Sequence, residues 1–334
     1  MSLPPIAISL GDPAGVGPEL IAAAWFGRAV RTLPPFCAIG GAGLLAAAAR
    51  LRGLDIPVRR VSSLAEAAEV FDHALPVLGE ADGDYTPGKP NTQGARLALA
   101  SLTEAARLTV SGEASAIVTG PIAKSRLAAV GFVHPGQTEF VAEASGIAPA
   151  DAVMMLAGPS LRTVPITVHV ALAEVPGLVT GELIQRRARI VARALERDFG
   201  IANPRLAIAA LNPHAGEDGR MGIEEITIIA PAIAALQAEG INATGPYPAD
   251  SLFAPRTRET FDVALCMYHD QALVPLKALE FDHGVNITLG LPIIRTSPDH
   301  GTAFGIAGQG LADVGATVAA LRLAADCARI RAAR

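Results

Sequence analysis

The sequence predicts an α/β protein in which aliphatic strands alternate with alanine-rich helices, as two domains or as one large α/β unit. Three observations carry this expectation. The chain has 334 residues, beyond the commonest single-domain size. Hydrophobic residues make up 51% of it and aromatics only 4%, so its core must be aliphatic, which suits helices packed on parallel strands. Short apolar runs also recur along the chain, several of them ending in a Gly/Pro turn that leads into a helical pattern.

Taken in order, Ile6 to Leu10 reads as a strand, and Gly11-Asp12-Pro13-Ala14-Gly15-Val16-Gly17-Pro18-Glu19 as a turn into a helix starting near Pro18. Such a turn can offer backbone N–H groups to an anion. Phe36 to Ile39 is a second strand, and Gly41-x-Gly43-x-x-Ala46 follows it. This matches part of a dinucleotide fingerprint, but no acidic residue stands at the required distance, so it reads as a plain strand-to-helix turn. Residues 79 to 94 form a loop by composition, with a helix to about Gly112. Ala116 to Thr119 is a buried strand whose turn leads to Lys124, a candidate ligand contact beyond a strand's carboxyl end. Gly136-Gln137-Thr138-Glu139 opens another helix. Strands are expected over 152–157 and 162–169, a helix from Thr180 to about Phe199, and a strand over 205–211. A helix around 224–239, a loop starting at Asp250, a strand over 261–267 and an amphipathic helix over 312–334 complete the chain.

A net charge of -5 gives no basic footprint for nucleic acid. The start of the chain lacks the basic and apolar regions of a signal peptide, and no apolar run is long enough to span a membrane. Cys37, Cys266 and Cys327 are scattered and odd in number, which fits a reducing compartment. The expectation is a cytoplasmic protein.

His169, His214 and His269 share one setting, each at or just past the end of an aliphatic run. Three neutral imidazoles with an open fourth position describe a catalytic divalent-metal site, with zinc the usual ion and cobalt or nickel also accepting imidazole. Lys277, Asn286 and Arg295 add two cations and an amide for a phosphate or carboxylate.

Several segments together resemble the 4-hydroxythreonine-4-phosphate dehydrogenases, the PdxA family. They are Gly11 to Glu19, Thr119-Gly120-Pro121 with Lys124, Leu211-Asn212-Pro213-His214-Ala215-Gly216-Glu217, Tyr268-His269-Asp270-Gln271 with Lys277, Asn286 to Pro292, and Arg295-Thr296-Ser297. The resemblance implies a homodimer of two-domain subunits related in fold to the isocitrate and isopropylmalate dehydrogenases, with the active site in the interdomain cleft. It suggests one domain from 1–125 plus 290–334, carrying the cofactor loop, and a second from 126–289, carrying the metal ligands and dimer contacts. It implies that His169, His214 and His269 hold one divalent ion (Zn, Co or Mg) at the subunit interface. Gln137, Thr138, Lys277, Asn286 and Arg295 become the substrate contacts, although Gln137 stands where the family usually has histidine. The segment Asp299 to Gly308 resembles the adenosine-binding loop of the isopropylmalate dehydrogenases, which makes His300, Gly301, Thr302, Ala303 and Gly308 the contacts for NAD or NADP. Gly305 replaces an aspartate common in relatives, which leaves the choice between the two nucleotides open.

The activity so implied is NAD(P)-dependent oxidation of 4-phosphooxy-L-threonine, with the β-keto acid product losing carbon dioxide, in pyridoxal phosphate synthesis. Asp250 is the expected proton acceptor. Two alternatives stand beside it: a sibling dehydrogenase of a threonate or erythronate phosphate, and a metal-dependent hydrolase or lyase of phosphorylated acids.

Overall fold

The computed structural model describes residues 3–334. The chain forms two compact units, Met1–Ala152 with Leu291–Arg334, and Val153–Gly290.

The first unit starts with β1 (Ile6–Ser9), α1 (Gly17–Phe26), β2 (Phe36–Ile39), α2 (Ala42–Leu51), β3 (Val58–Val61), α3 (Leu64–Val70), β4 (Leu75–Leu78) and α4 (Thr92–Val110). It continues with β5 (Ile117–Thr119), α5 (Lys124–Ala128) and α6 (Gln137–Ala144). The second unit holds β6 (Val153–Ala157), β7 (Arg162–Pro165), α7 (Val175–Leu178), α8 (Gly181–Phe199), β8 (Leu206–Ala209), α9 (Ala230–Ala238) and β9 (Ala243–Tyr247). Then come α10 (Ala249–Leu252), α11 (Pro255–Arg258), β10 (Val263–Cys266), α12 (His269–Glu280) and β11 (Val285–Leu289). The chain closes in the first unit with β12 (Arg295–Pro298) and α13 (Gly315–Ala332).

Local chemistry explains most boundaries. Asn91 caps α4 by accepting from the Gly94 amide at 2.7 Å, and Thr180 caps α8 by accepting from Leu183 at 3.2 Å. The far end of α8 stops at Gly200, whose φ of 68° suits glycine best. Residues 55–78, for which composition gave no clear expectation, form a strand, a helix capped by Ser63, and another strand.

In the first unit the strands run β3-β4-β2-β1-β5-β12, with every neighbouring pair parallel. The strand order reverses around β1, and ligands of open α/β sheets collect at such points. The loops after β1 and β5 meet there, with the Asp12 amide donating to the Pro121 carbonyl at 2.8 Å. In the second unit the order is β11-β6-β7-β10-β8-β9. The β11/β6 and β6/β7 pairs are antiparallel, whereas β7, β10, β8 and β9 run parallel.

The aliphatic expectation fits the core. Ile8, Val118, Ile39 and Leu102 are buried in the first unit and Ile208, Val263 and Leu265 in the second. The segment 126–152, expected beside the metal-bearing residues, belongs to the first unit instead. Its Leu127, Phe132, Val141 and Ala152 pack in one cluster with Ala7, Leu102 and Ile117. Apolar burial therefore draws the unit boundary to Ala152.

Gly11 is the tightest point of the β1/β5 junction. Its φ is +69°, and an added Cβ would lie 2.5 Å from the Pro121 oxygen and 2.8 Å from the Gly120 carbonyl carbon, both backbone. Gly11→Ala is expected to lower stability by roughly 2–4 kcal/mol through clash and positive φ together. Urea unfolding followed by circular dichroism checks this, and an unchanged midpoint would remove the steric argument.

Candidate active site

Three adjacent parallel strands of the second unit aim their carboxyl ends the same way. Pro165 of β7 pairs with Cys266 of β10, and Leu265 of β10 pairs with Ile208 of β8. His169, His269 and His214 follow those three strands, so a common sheet edge gathers them from distant parts of the sequence. Strand β7 ends at Pro165, short of the expected 169, which leaves His169 in the loop.

The loops are tied to one another. Thr167 Oγ1 donates to the Met267 carbonyl at 2.8 Å, joining the His169 loop to the His269 loop. Gln271, 8% exposed, accepts from the Met267 amide at 2.6 Å and donates to the Ala210 carbonyl at 2.8 Å, joining the β10 and β8 loops. His269 opens α12, and its Nδ1 lies 2.7 Å from Asp270 Oδ1. A carboxylate on one ring nitrogen orients the imidazole and leaves the other nitrogen for a ligand.

The His169 and His269 rings stand 5.7 Å apart between centroids and line a cavity of about 250 Å³ with Thr167, Tyr268 and Asp270. Two imidazoles facing one cavity have the donor chemistry of a zinc-type ion. Among the described residues, no three His, Cys, Asp or Glu side chains come together to hold an ion, so His214 does not join the pair in the single chain.

His214 sits on an unusual turn. His214, Ala215, Gly216, Glu217 and Asp218 all have positive φ, between 41° and 78°. Left-handed backbone costs L-residues roughly 1–2 kcal/mol each, and only Gly216 escapes it. Glu225, 3% exposed, accepts from the Leu211 and Asn212 amides at 2.8 Å each and from Asn212 Nδ2 at 2.9 Å. Burial opposes its ionisation, but the donors around it outweigh burial and hold the carboxyl below its usual range. The expected helix around 224–239 begins as a wide π-turn over Glu225–Ile229 before α9.

The remaining candidates of this unit are spread along it. Lys277 is half-buried on α12, and Asn286 lies on β11 with a buried Oδ1 that has no hydrogen-bond partner. Asp250, expected in a loop, is an exposed residue of the short helix α10 after the edge strand β9.

In the first unit Arg295 is the centre. It is 4% exposed and sits at the start of β12. Its Nη2 donates to Thr119 Oγ1 at 2.8 Å and to Gln137 Oε1 at 3.4 Å, and its Nη1 donates to Thr138 Oγ1 at 3.3 Å. These acceptors are neutral. Burial pulls the guanidinium down to about 10, with Glu139 partly offsetting it. Gln137 and Thr138 open α6, so the positive end of a helix faces the same region. Lys124, exposed at the start of α5, brings Nζ within 3.6 Å of where a Gly136 Cβ would stand. Gln137 is not a free contact, because its Nε2 is given to the Gly120 carbonyl at 2.9 Å.

The loop 299–310 adjoins the turn after β1. Val16 donates its amide to the Thr302 carbonyl at 3.0 Å, and an added Gly15 Cβ would lie 2.7 Å from that same oxygen. Ala303 has φ +47° and Gly308 +75°, and a Cβ on Gly308 would lie 2.6 Å from Pro87. His300 places Nδ1 3.0 Å from the Gly301 carbonyl, while its buried Nε2 has no hydrogen-bond partner.

The two other glycine-rich turns are occupied by the protein itself. The Ala14 and Gly15 amides go to Asp12 and the Val16 amide to Thr302, which corrects the expectation that this turn offers them to an anion. At α2, Asp82 accepts from the Gly43 and Leu44 amides at 2.8 and 3.2 Å, so a carboxylate of the chain fills the helix start.

A family model described as pyridoxal phosphate biosynthetic protein PdxA matches residues 32–324. The chain belongs to the PdxA family. It is 60% identical over 328 residues to a 4-hydroxythreonine-4-phosphate dehydrogenase of Erythrobacter litoralis, covering 98% of each chain. It is 54% identical to the protein of that name from Zymomonas mobilis, over 98% of this chain and 97% of the relative. The crystal structure of a 4-hydroxythreonine-4-phosphate dehydrogenase from Klebsiella pneumoniae superposes with a TM-score of 0.87 at 37% identity, covering 98% of both chains. The protein is thus an enzyme, a dehydrogenase of the family that acts in pyridoxal phosphate biosynthesis. No helix among the described residues is long and apolar enough to cross a membrane.

Against this PdxA background, the structure adds residues that sequence reasoning did not assign. Thr119 seats Arg295, Asp270 orients His269, Gln271 and Thr167 tie the histidine loops, and Glu225 holds the His214 turn. Thr119, Asp270 and Gln271 lie inside the motifs quoted above, so the sequence flagged their positions but not their bonds. Thr167 and Glu225 lie outside them.

Proposed function

We propose that this PdxA enzyme oxidises the secondary alcohol of 4-phosphooxy-L-threonine with NAD or NADP, and that the resulting β-keto acid decarboxylates to 3-amino-2-oxopropyl phosphate. The observation that carries this reading is a buried guanidinium on neutral oxygens, in a chain that also pairs two imidazoles over a cavity. A cation so desolvated gains from a substrate anion.

Arg295 binds the anionic end, with Thr119 and Gln137 fixing its plane and Thr138 beside it. Lys277 and Asn286 are the further substrate contacts, and the orphaned Asn286 Oδ1 is an acceptor awaiting a donor. His169, His269 and His214 would hold one divalent ion, with a second copy of the chain completing the site in a homodimer. When bound, such an ion supplies Lewis-acid polarisation of the substrate oxygen. His300 to Ala303 and Gly308 hold the nucleotide, and the buried His300 Nε2, which has no hydrogen-bond partner in the chain, is the polar atom of this loop left to be satisfied. Asp250 takes the hydroxyl proton.

The test is an absorbance assay for reduced nicotinamide with purified protein, a divalent metal, each nucleotide and the phosphorylated threonine. Metal-dependent reduction of one nucleotide is expected, and none with either nucleotide would end the assignment. Gln137 favours a second reading, a four-carbon sugar-acid phosphate as substrate, since a glutamine carries no charge at neutral pH. Side-by-side kcat/KM values with threonate and erythronate phosphates decide between them.

A further inference from the structure

We propose that Glu225 is a positioning residue for His214, acting through the left-handed turn that carries it. The inference rests on the reading of His214 as a metal donor. It starts from a mismatch. Five consecutive residues, His214 to Asp218, hold a backbone that only Gly216 adopts easily. Such a turn persists only when its surroundings fix it from both sides.

Glu225 does this from a position well downstream in sequence. Its Oε1 accepts from the Leu211 and Asn212 amides at 2.8 Å each, where the chain leaves β8 for the turn. Its Oε2 accepts from Asn212 Nδ2 at 2.9 Å, and the same nitrogen reaches Glu224 Oε2 at 2.7 Å. The exit side of the turn is closed by the Met221 amide donating to the Gly216 carbonyl at 3.0 Å. Gly216 lies against Glu225 itself, since an added Cβ would stand 2.7 Å from Oε2. One buried carboxylate therefore touches the entry and the middle of the turn. The π-turn over Glu225–Ile229 starts at this residue, and such widened turns occur often at functional sites.

Charge-assisted bonds to backbone N–H groups are the strong kind, and a glutamine cannot replace both oxygens as acceptors. Glu225→Gln is therefore expected to weaken divalent-ion affinity by about 10–100-fold, the range seen when residues supporting metal ligands are changed. Excess metal should restore kcat to within a few-fold of the parent, because no donor is lost. A merely structural role would lower stability and yield without this rescue.

The experiment uses the full chain, stripped with chelator and titrated with zinc against a chromophoric competitor, with turnover measured in parallel across metal concentration. His169→Ala is the control for the metal reading. Weakened zinc binding in both variants, with metal rescue of E225Q alone, supports the proposal. Zinc binding lost in H169A but unchanged in E225Q overturns the positioning role and leaves the metal reading intact. Unchanged binding in both variants overturns the metal reading and the proposal with it. If E225Q does not fold, Asn212→Ala removes one bond to the carboxylate while leaving both amides in place, and the same comparison decides.

Discussion

Replacing His269 with alanine is expected to lower kcat/KM by at least about 10³-fold and to remove most bound divalent ion. The expectation comes from where the residue stands. β10 is the middle of the three parallel strands, so its loop lies between those that carry His169 and His214. Asp270 holds Nδ1 at 2.7 Å, so Nε2 is the nitrogen that would coordinate an ion in the proposed site. Losing a donor together with its oriented imidazole costs about 4 kcal/mol or more of transition-state stabilisation, equivalent to that fold-change. The side chain is 35% exposed, so folding should barely notice its removal. Asp270→Asn should give the milder result, a loss of about 10–100-fold in metal affinity with the imidazole still present. Metal content by elemental analysis, taken with kinetics on the same samples, separates these outcomes. A His269→Ala enzyme that keeps both metal and turnover would remove the second unit's strand ends from the mechanism.

Arg295→Lys should raise KM for the phosphorylated substrate by about 10²-fold or more, while KM for the nucleotide moves little. The guanidinium is held by three neutral side chains, Thr119, Thr138 and Gln137, on all three of its nitrogens. A lysine keeps the charge but cannot reproduce a planar fork held at those positions. Truncating one partner of a buried charged contact costs about 2–5 kcal/mol, and the lower end already corresponds to tens-fold. Thr119→Val offers a finer test, because it removes the closest oxygen on Arg295 and leaves the cation in place. Its KM should rise by less than that of Arg295→Lys. The decisive measurement is the ratio of the two KM changes, substrate against nucleotide. Equal rises in both would mean general loss of structure, and no rise in either would take Arg295 out of substrate binding.

Gln137 shows how the structure alters a residue's meaning. Standing next to Thr138, in a place where histidine is usual for the family, it reads as a direct substrate contact. In the fold its amide spans the Gly120 carbonyl and the Arg295 guanidinium, so it acts first on the arginine. A neutral side chain at this point gives the cation a hydrogen bond and adds no charge of its own.

The same division runs through the chain. The strand–turn–helix order was legible because its causes are local: apolar runs make strands, Gly and Pro end them, and Asn91 or Thr180 starts a helix with its own side chain. The candidate residues stood out because His, Arg and Lys beside strand ends are rare among aliphatic runs. Local rules could not reveal the left-handed turn at His214, since its stability comes from Glu225 and backbone bonds that bridge separate stretches. Nor could they assign 126–152 to the first unit, a choice made by apolar side chains that meet only after folding. Sequence alone determined the alternating fold class and the family, and it named the candidate residues. Tertiary structure decided which of them meet, because hydrogen bonds and burial depend on distance in space, and distance in sequence does not report it.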